Sequence, residues 1–576
     1  AILNDFGIAV CEKYWEGTEK WHSVRLELVD LPGVGTNGKG VTREYALASA
    51  YAELMERLQT RTVVKPVFGN KNRPKYQFPD ENVETPEYVY NMAEKLFAYE
   101  HTLQDGFDLK QLLLENDDYS ICAPFQDLHT GQQTNLPVRL IRKLCGTNGL
   151  CAGNTEKEAI VQGICEVYER YVRHKLFFDG LPVPTIDLNE LAHLSSNQLI
   201  QHIKALGYEC FVKDCTAGIF PALGLIIWDR ETMSYSFTVG AHYDMDIALQ
   251  RCVTEAFQGR AANKIDFLSR MSAFVGHDAN LVFARDTNDT QYHTEWMKTA
   301  IDNTGYHPHT IFNNRKSQGY SDVFLSGSDN DSAYSYLLDI AKQNGFSVYS
   351  RNYSFMGFPT YQVFISKITT VNRFYNDEYP VFAHEKRVRE IFLDLQGADE
   401  PDRAWLLNIL APLQDIPRYN LYGYPMVFFD ILLKTSVKAF FPHDLLFLSY
   451  GCLSQNNFQG AAEYLHQYIE KVELDDHGSA FAKMLIFAYL YRHNNAGLEG
   501  IEHYLPENAD ISAVRELVEG GEDAFLSLDM PSCDDCSICA IRSQCLYEEW
   551  ERIHAALSPA TESFFKRQTV KGHPHE

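Results

Sequence analysis

At 576 residues the chain is too long for one ordinary hydrophobic core, so two or more domains are expected. A hydrophobic fraction of 45% with 22% charged residues is that of a globular protein, and no apolar run approaches the roughly 20 residues that span a bilayer. The formal net charge of −26 repels nucleic acid and anionic membrane, which excludes direct binding to either through a broad basic surface; any anionic ligand must be held by a local site against that field.

The N-terminus, AILNDFGIAVCEKYW, has no basic region leading into a signal-type apolar core. The chain begins with Ala rather than Met, so a further N-terminal piece is expected upstream. Thirteen cysteines include four near the C-terminus and others scattered singly, several (Cys165, Cys210, Cys252) among apolar neighbours. That usage fits a reducing cytoplasm better than a disulfide framework.

Residues 1–30 alternate and end in VRLELVDLP, a predicted strand. A Gly-rich turn, TNGKG, then leads to a helix within Thr36–Thr60, with an apolar stripe of Leu47, Tyr51, Leu54, Met55 and Leu58. Its polar face carries Ser49, Glu53 and Glu56. Residues 61–146 read as loops and short helices, with Pro-containing stretches at 66–88 and a strand near QQTNLPVRLI.

From Thr147 to Arg173 the pattern returns. Thr155 followed by Glu158 is a capping box, and Ile160, Ile164, Val167, Tyr168 and Tyr171 form the buried stripe of a helix. Gln162, Glu166 and Glu169 occupy the face that Ser49, Glu53 and Glu56 hold in the first helix. A degraded third version, GAHYDMDIALQRCVTEAFQGR, starts at Gly240. Leu249, Val253, Ala256 and Phe257 take its stripe; Arg251, Glu255 and Gln258 take its polar face. The fold class expected is therefore α/β, with a threefold, imperfect repeat of strand, Gly-containing turn and helix.

Clustered carboxylates on separate helices repel unless a cation sits between them, and Mg²⁺ is the ordinary solution. Arg57, Arg170 and Arg251 can offset the charge or hold phosphate through forked donors. A Mg²⁺–nucleotide site follows as one reasonable derivation. The Glu-x-x-His pairs of a di-iron carboxylate site, a Walker P-loop and a GxGxxG before a helix are all missing from the sequence.

SAYAELMER (Ser49 to Arg57), AGNTEKEAIVQGICEVYERY (Ala152 to Tyr171) and the third stretch resemble the ATP-binding signatures of the YcaO-domain family. The resemblance covers the first two-thirds of the chain and is closest to stand-alone enterobacterial members. It implies ATP gripped through Mg²⁺, with Glu53, Glu56, Glu166 and Glu169 matching the metal-liganding carboxylates. Ser49, Asn154, Glu158, Gln162, Arg170 and Arg251 match the remaining nucleotide-contacting positions. Family members activate a backbone amide with ATP, giving azoline, thioamide or amidine products. Azoline-forming members end in a proline-rich tail whereas this chain ends VKGHPHE, so cyclodehydration of a leader-bearing peptide is disfavoured. No fused leader-binding module is evident. The family also supplies Lys and Ser contacts from a helix that should precede Ala1; Lys39 is a partial substitute, although a Lys in an exposed turn is more often simply solvated. The role implied most closely is accessory to β-methylthiolation of an aspartate on ribosomal protein S12, beside a radical methylthiotransferase. A ribosomal-protein or peptide substrate and a homodimer follow from the same resemblance.

Residues 176–240 predict the helix NQLIQHIKAL and the strands ECFVKDCT, FPALGLIIW and SYSFTVG. The helix SAYSYLLDIAKQNG then feeds the strands FSVYSRNYSF and YQVFISKI. His242, in GAHYD, reads as a structural histidine more readily than as a substrate contact. Near 376–385 the pattern turns helical, dividing an ATP-binding domain at 1–380 from a tetratricopeptide-like domain at 381–576, suited to partner docking or to capping the fold. Cys533, Cys536, Cys539 and Cys545 lie within thirteen residues and read as a thiolate site for Zn²⁺ or an iron–sulfur cluster.

Overall fold

The computed structural model describes residues 1–14, 18–63, 76–98, 102–257, 272–273, 296, 299, 307, 309–325, 327, 329–416, 444–471, 474–495, 497–507, 509–526, 528, 530, 535–540 and 542–571. The architecture is mixed α/β and divides into two compact units. One comprises Ala1–Pro66, Lys75–Asn376 and Glu549–Glu576, and the other covers Asp377–Glu548.

The first unit opens with a single helical turn, α1 (Ile2–Asp5), and an antiparallel sheet of β1 (Val10–Tyr14), β2 (His22–Leu28) and β3 (Gly35–Gly40). The expected strand VRLELVDLP is β2, with Val24, Leu26 and Leu28 buried in alternation. GTNGKG, expected as a turn, is β3, and it pairs with β2 from His22↔Gly40 to Glu27↔Gly35. Its glycines have a packing reason. The helix α2 (Arg43–Gln59) lies so close that a Cβ on Gly38 would stand 2.0 Å from the Ala46 carbonyl oxygen. Accordingly α2 buries Ala46, Ala50, Leu54, Met55 and Leu58, while Leu47 and Tyr51, expected in the stripe, are only half-buried.

Then come β4 (Asn82–Val83), α3 (Pro86–Leu96), α4 (Leu109–Glu115), β5 (Ile121–Asp127), β6 (Gln133–Leu136) and α5 (Val138–Cys145). The strand expected through QQTNLPVRLI therefore stops at Leu136, where Pro137 cannot donate to a ladder and opens a helix instead. β7 (Leu150–Ala152) leads into α6 (Glu156–Phe178). β8 (Thr185–Ile186), α7 (Asn197–Ala205), β9 (Glu209–Asp214), β10 (Ala222–Asp229), β11 (Ser234–Ala241), α8 (Met245–Ala256), β12 (Ser272–Ala273), α9 (Asn330–Gln343), β13 (Val348–Asn352) and β14 (Thr360–Ile365) complete the run. They build a five-stranded sheet in the order β12-β11-β10-β9-β8 and a second sheet ordered β4-β5-β13-β14-β7, with β6 on β5. The predicted elements of 176–240 and 330–365 coincide with α7, β9 to β11, α9, β13 and β14. β5, in the stretch read as loops, joins β4, β6 and β13.

Helix α6 sits between the two larger sheets. Ile160, Ile164, Val167 and Tyr168 pack with Ile226, Phe237 and Val239 on one side and Val363 and Ile365 on the other. The opposite face of β10 (Leu223, Leu225, Ile227) packs on Ile203 of α7 and on Leu249 and Val253 of α8. Burial on both faces is why FPALGLIIW reads as an unbroken apolar run. Each such side chain contributes about 1.5–3 kcal/mol on leaving water.

The second unit is helical among its described residues: α10 (Tyr379–Ala383), α11 (Glu385–Leu393), α12 (Glu400–Leu410), α13 (Asp444–Ser454), α14 (Phe458–Lys471), α15 (Asp476–Asn494) and α16 (Ile511–Leu526). Its core joins Leu453, Ala461, Leu465, Leu485, Tyr489, Val514 and Val518. The last helix, α17 (Tyr547–Lys571), groups with the first unit over most of its length. There the Phe565 ring lies 5.0 Å from Phe78 and 5.5 Å from the buried Arg351 guanidinium, and Arg552 pairs with Asp30 at 2.7 Å. A helix expected within 381–576 is thus part of the α/β unit.

Candidate functional site

Three strands each run through a short turn into an N-capped helix: β3 to α2, β7 to α6 and β11 to α8. Thr42 Oγ1 accepts from Tyr45 N at 3.2 Å, Thr155 Oγ1 from Glu158 N at 3.2 Å, and the Asp244 carboxylate from Asp246 N at 2.9 Å. The capping box at Thr155 is only half made, because the Glu158 carboxylate accepts from Asn154 Nδ2 at 3.0 Å instead of reaching the cap backbone. The three strands belong to three different sheets. A glycine again lets the third helix approach its strand, for a Cβ on Gly240 would stand 2.5 Å from the Ala248 carbonyl oxygen.

The polar faces of these helices are not solvated. Glu56 is 8% exposed, and Glu53, Glu166 and Glu169 are half-buried. Each carboxylate has an arginine beside it. Arg57 lies 3.1 Å from Glu53 and 2.9 Å from Glu56, Arg170 3.2 Å from Glu166, and Arg173 3.9 Å from Glu169. Arg251 of α8 donates to Gln162 Oε1 of α6 at 2.8 Å, which joins two of the residues matched to nucleotide contacts. Ser49 is half-buried on α2, while Asn154 and Glu158 stand together at the start of α6.

Electrostatics ties the faces together. Burial pushes the Glu56 carboxyl up to about 8; Arg57 opposes this, while Glu166 from α6 and Glu53 add to it. Burial works against the charge on Arg57, yet Glu56, Glu53 and Glu166 raise it above the ordinary guanidinium value. Lys39, expected as a solvated turn residue, sits on β3 and pairs with Glu255 of α8. Burial pulls its ammonium down to about 8; Glu169 and Glu53 hold it up, while Arg251 and Arg173 press it down. Lys39 and Arg173 therefore join the cluster. The signal for Arg173 was its i,i+4 spacing from Glu169, and for Lys39 its place in a glycine-flanked strand. His242 is a structural group: its Nδ1 accepts from Asp244 N at 3.0 Å, and burial with Arg251 nearby drives it down to about 3.

The donor set suits a hard cation. All four carboxylates supply oxygen, and Glu56 Oε1 is buried against Arg57 Nη1, an ion pair at 2.9 Å that lies outside hydrogen-bond geometry. Among the described residues, however, no three His, Cys, Asp or Glu side chains already stand close enough together to hold a metal. The i,i+4 pairs to Arg57, Arg170 and Arg173 draw the carboxylates along their own helices. The same finding bears on the cysteine cluster. Cys533 lies outside the described residues, and Cys536, Cys539 and Cys545 are half-buried around the 3-10 turn Arg542–Gln544 without converging as a metal site. Gln258 also lies outside the described residues.

A family model described as YcaO cyclodehydratase, ATP- and Mg²⁺-binding, matches residues 37–369. The chain belongs to the YcaO family. The match runs from β3 to just beyond β14 and so takes in all three strand–turn–helix units. Among relatives, the Escherichia coli (strain K12) ribosomal protein S12 methylthiotransferase accessory factor YcaO is 27% identical over 431 residues, 72% of this chain and 70% of that protein. An uncharacterized protein of Haemophilus influenzae is 26% identical over 65% of this chain and 64% of its own length. Solved structures with a similar fold include a heterocyclase in complex with substrate and cofactor (TM-score 0.42, 19% identity, 64% of this chain and 52% of that one). Another is YcaO from Methanopyrus kandleri bound with AMPPCP and Mg²⁺ (TM-score 0.40, 15% identity, 64% and 87%). No described helix is long and apolar enough to cross a membrane.

Proposed function

We propose that this YcaO protein binds ATP with Mg²⁺ at the polar faces of α2, α6 and α8 and serves a post-translational modification of protein. Glu53, Glu56, Glu166 and Glu169 would hold the metal. Ser49, Asn154, Glu158, Gln162, Arg170 and Arg251 would hold the nucleotide, with Lys39 and Arg173 beside its phosphates. The observation that carries the reading is Glu56, a buried carboxylate pressed by Glu53 and Glu166 and offset by its ion pair with Arg57. Glutamate pairs brought together from two helices repel, and the family to which the chain belongs is described as Mg²⁺-binding. When bound, Mg²⁺ neutralises charge on the phosphoryl group, and positioning does most of the remaining work. This chain's arginines would exchange their helix partners for phosphate oxygens, releasing the carboxylates to the metal.

Similarity to the Escherichia coli accessory factor favours a role beside a methylthiotransferase of ribosomal protein S12; with it we propose a radical enzyme as that partner, a cytoplasmic location and a homodimer. In this reading the three strand–turn–helix units are imperfect copies of one unit, and the helical second unit, tetratricopeptide-like, docks the partner. The second reading is direct ATP-dependent activation of a peptide amide, favoured by the match to the YcaO cyclodehydratase family. Masses of ribosomal proteins and peptides from cells with and without the gene separate the two. A methylthio increment on S12 that depends on the gene supports the first. A thioamide or dehydration increment on another chain, with substrate-dependent release of phosphate, supports the second. No gene-dependent mass change contradicts both.

A further inference from the structure

On the second unit, α15 and the turn after it present three aromatic rings to solvent. Phe487 and Tyr491 stand one helical turn apart, and Tyr504 follows the 3-10 turn Ile501–His503. The ring centroids are 6.1 Å apart for every pair, and the planes are tilted by 41°, 47° and 46°. Phe487 is 38% exposed and Tyr504 68%, while Tyr491 is half-buried and packs against the core built around Leu485 and Tyr489, anchoring the group at the surface. Its geometry is nevertheless fixed. Tyr491 Oη donates to the Glu499 carbonyl at 2.8 Å, which ties the helix to the loop that carries Tyr504.

The rings hold one another at the outer range of aromatic pairing and are tilted rather than stacked face to face. A cation over the centre of such a triangle lies about 5 Å from all three centroids, inside the roughly 6 Å within which a π-face attracts charge. Among the described residues no cation of this chain fills that place: Arg492, beside Tyr491, turns to the Phe458 ring at 5.2 Å. The surroundings are acidic. Glu499, Glu502, Glu507 and Asp510 are exposed, residues 499–510 contain no Lys or Arg, and among the described residues the one cation paired there is Arg515, on Glu502 at 3.2 Å.

We infer that Phe487, Tyr491 and Tyr504 form a docking cup for an arginine of a basic protein segment, whose flanking Lys and Arg residues meet the carboxylates beside it. A planar guanidinium stacks on aromatic faces better than an ammonium, and the chain's net charge of −26 steers a basic partner toward the protein. The inference concerns the second unit alone and holds whatever the nucleotide site does.

The test is fluorescence anisotropy of the full chain with a labelled ten-residue Arg/Ser peptide, at low and at 0.5 M salt. Tyr504 is outside the core, so its variants fold, and unchanged melting verifies this. Saturable binding is expected that weakens at least tenfold in Tyr504→Leu and stays within twofold in Tyr504→Phe, which keeps the π-face. Binding should also weaken with a Lys/Ser peptide and fall in high salt. Equal binding by Tyr504→Leu overturns the inference. So does equal binding of a neutral peptide rich in Leu, which marks an apolar face only, or a salt-insensitive dimer in sedimentation that Tyr504→Leu dissociates, which makes a second copy the occupant.

Discussion

Glu56 shows what a single residue contributes. In the sequence it was one of four carboxylates on amphipathic helices, and its spacing from Glu53 was legible at once. That its side chain is buried was not, because β7 and β14, which pack on α2, are distant in sequence. A carboxyl whose pKa is raised from its ordinary value to about 8 lends stability that is fully present below pH 4.5 and is lost as pH rises toward 8. Glu56→Gln keeps the neutral shape at every pH. Measured without divalent cation, its melting temperature should match the wild type near pH 5 and exceed it by several degrees near pH 9. A pH-independent difference contradicts the assignment of a neutral, buried Glu56. The same variant should lose Mg²⁺–nucleotide affinity, a gain in stability at the expense of function. The i,i+4 spacing of the arginines from the glutamates was legible; the link from Arg251 to Gln162 on another helix was visible only in the structure.

At the scale of elements, the helices were easier to read than the strands. The apolar stripes revealed all three helices and the Thr155 cap placed the start of α6; Thr42 and Asp244 cap α2 and α8 in the same way in the structure. β3 was missed because its sequence, Gly35–Gly40, has almost no side chains from which to read alternation. The glycines are there for the helix that packs against them. Gly38→Ala must push α2 off β3 and should cost about 1–3 kcal/mol, read by denaturant unfolding. Gly131→Ala is the comparison for volume: its Cβ would meet nothing within 4 Å, although its φ of +75° carries a modest strain of its own. Should Gly38→Ala cost no more than Gly131→Ala, close helix–strand contact is not the reason for the glycine. Because α2 carries Ser49, Glu53 and Glu56, a shift there should also reduce nucleotide binding.

For the whole molecule, composition and helical pattern gave the α/β-then-helical order but not the return of α17 to the first unit. Nothing local marks it, since Phe565 looks like any buried aromatic of a helix until Arg351 and Phe78 are seen beside it. Phe565→Ala should cost the first unit about 3–5 kcal/mol and leave the unfolding of the second unitary core around Leu485 unchanged. Hydrogen exchange resolved by segment reads both; loss confined to α13 to α16 contradicts the grouping. The account as a whole rests on one site, and calorimetric titration of ATP in Mg²⁺ buffer into wild type, Glu53→Gln and Glu166→Gln tests it most directly. Saturable, Mg²⁺-dependent binding to the wild type that weakens at least tenfold in both variants is the expected result; variants that bind as the wild type does would contradict it.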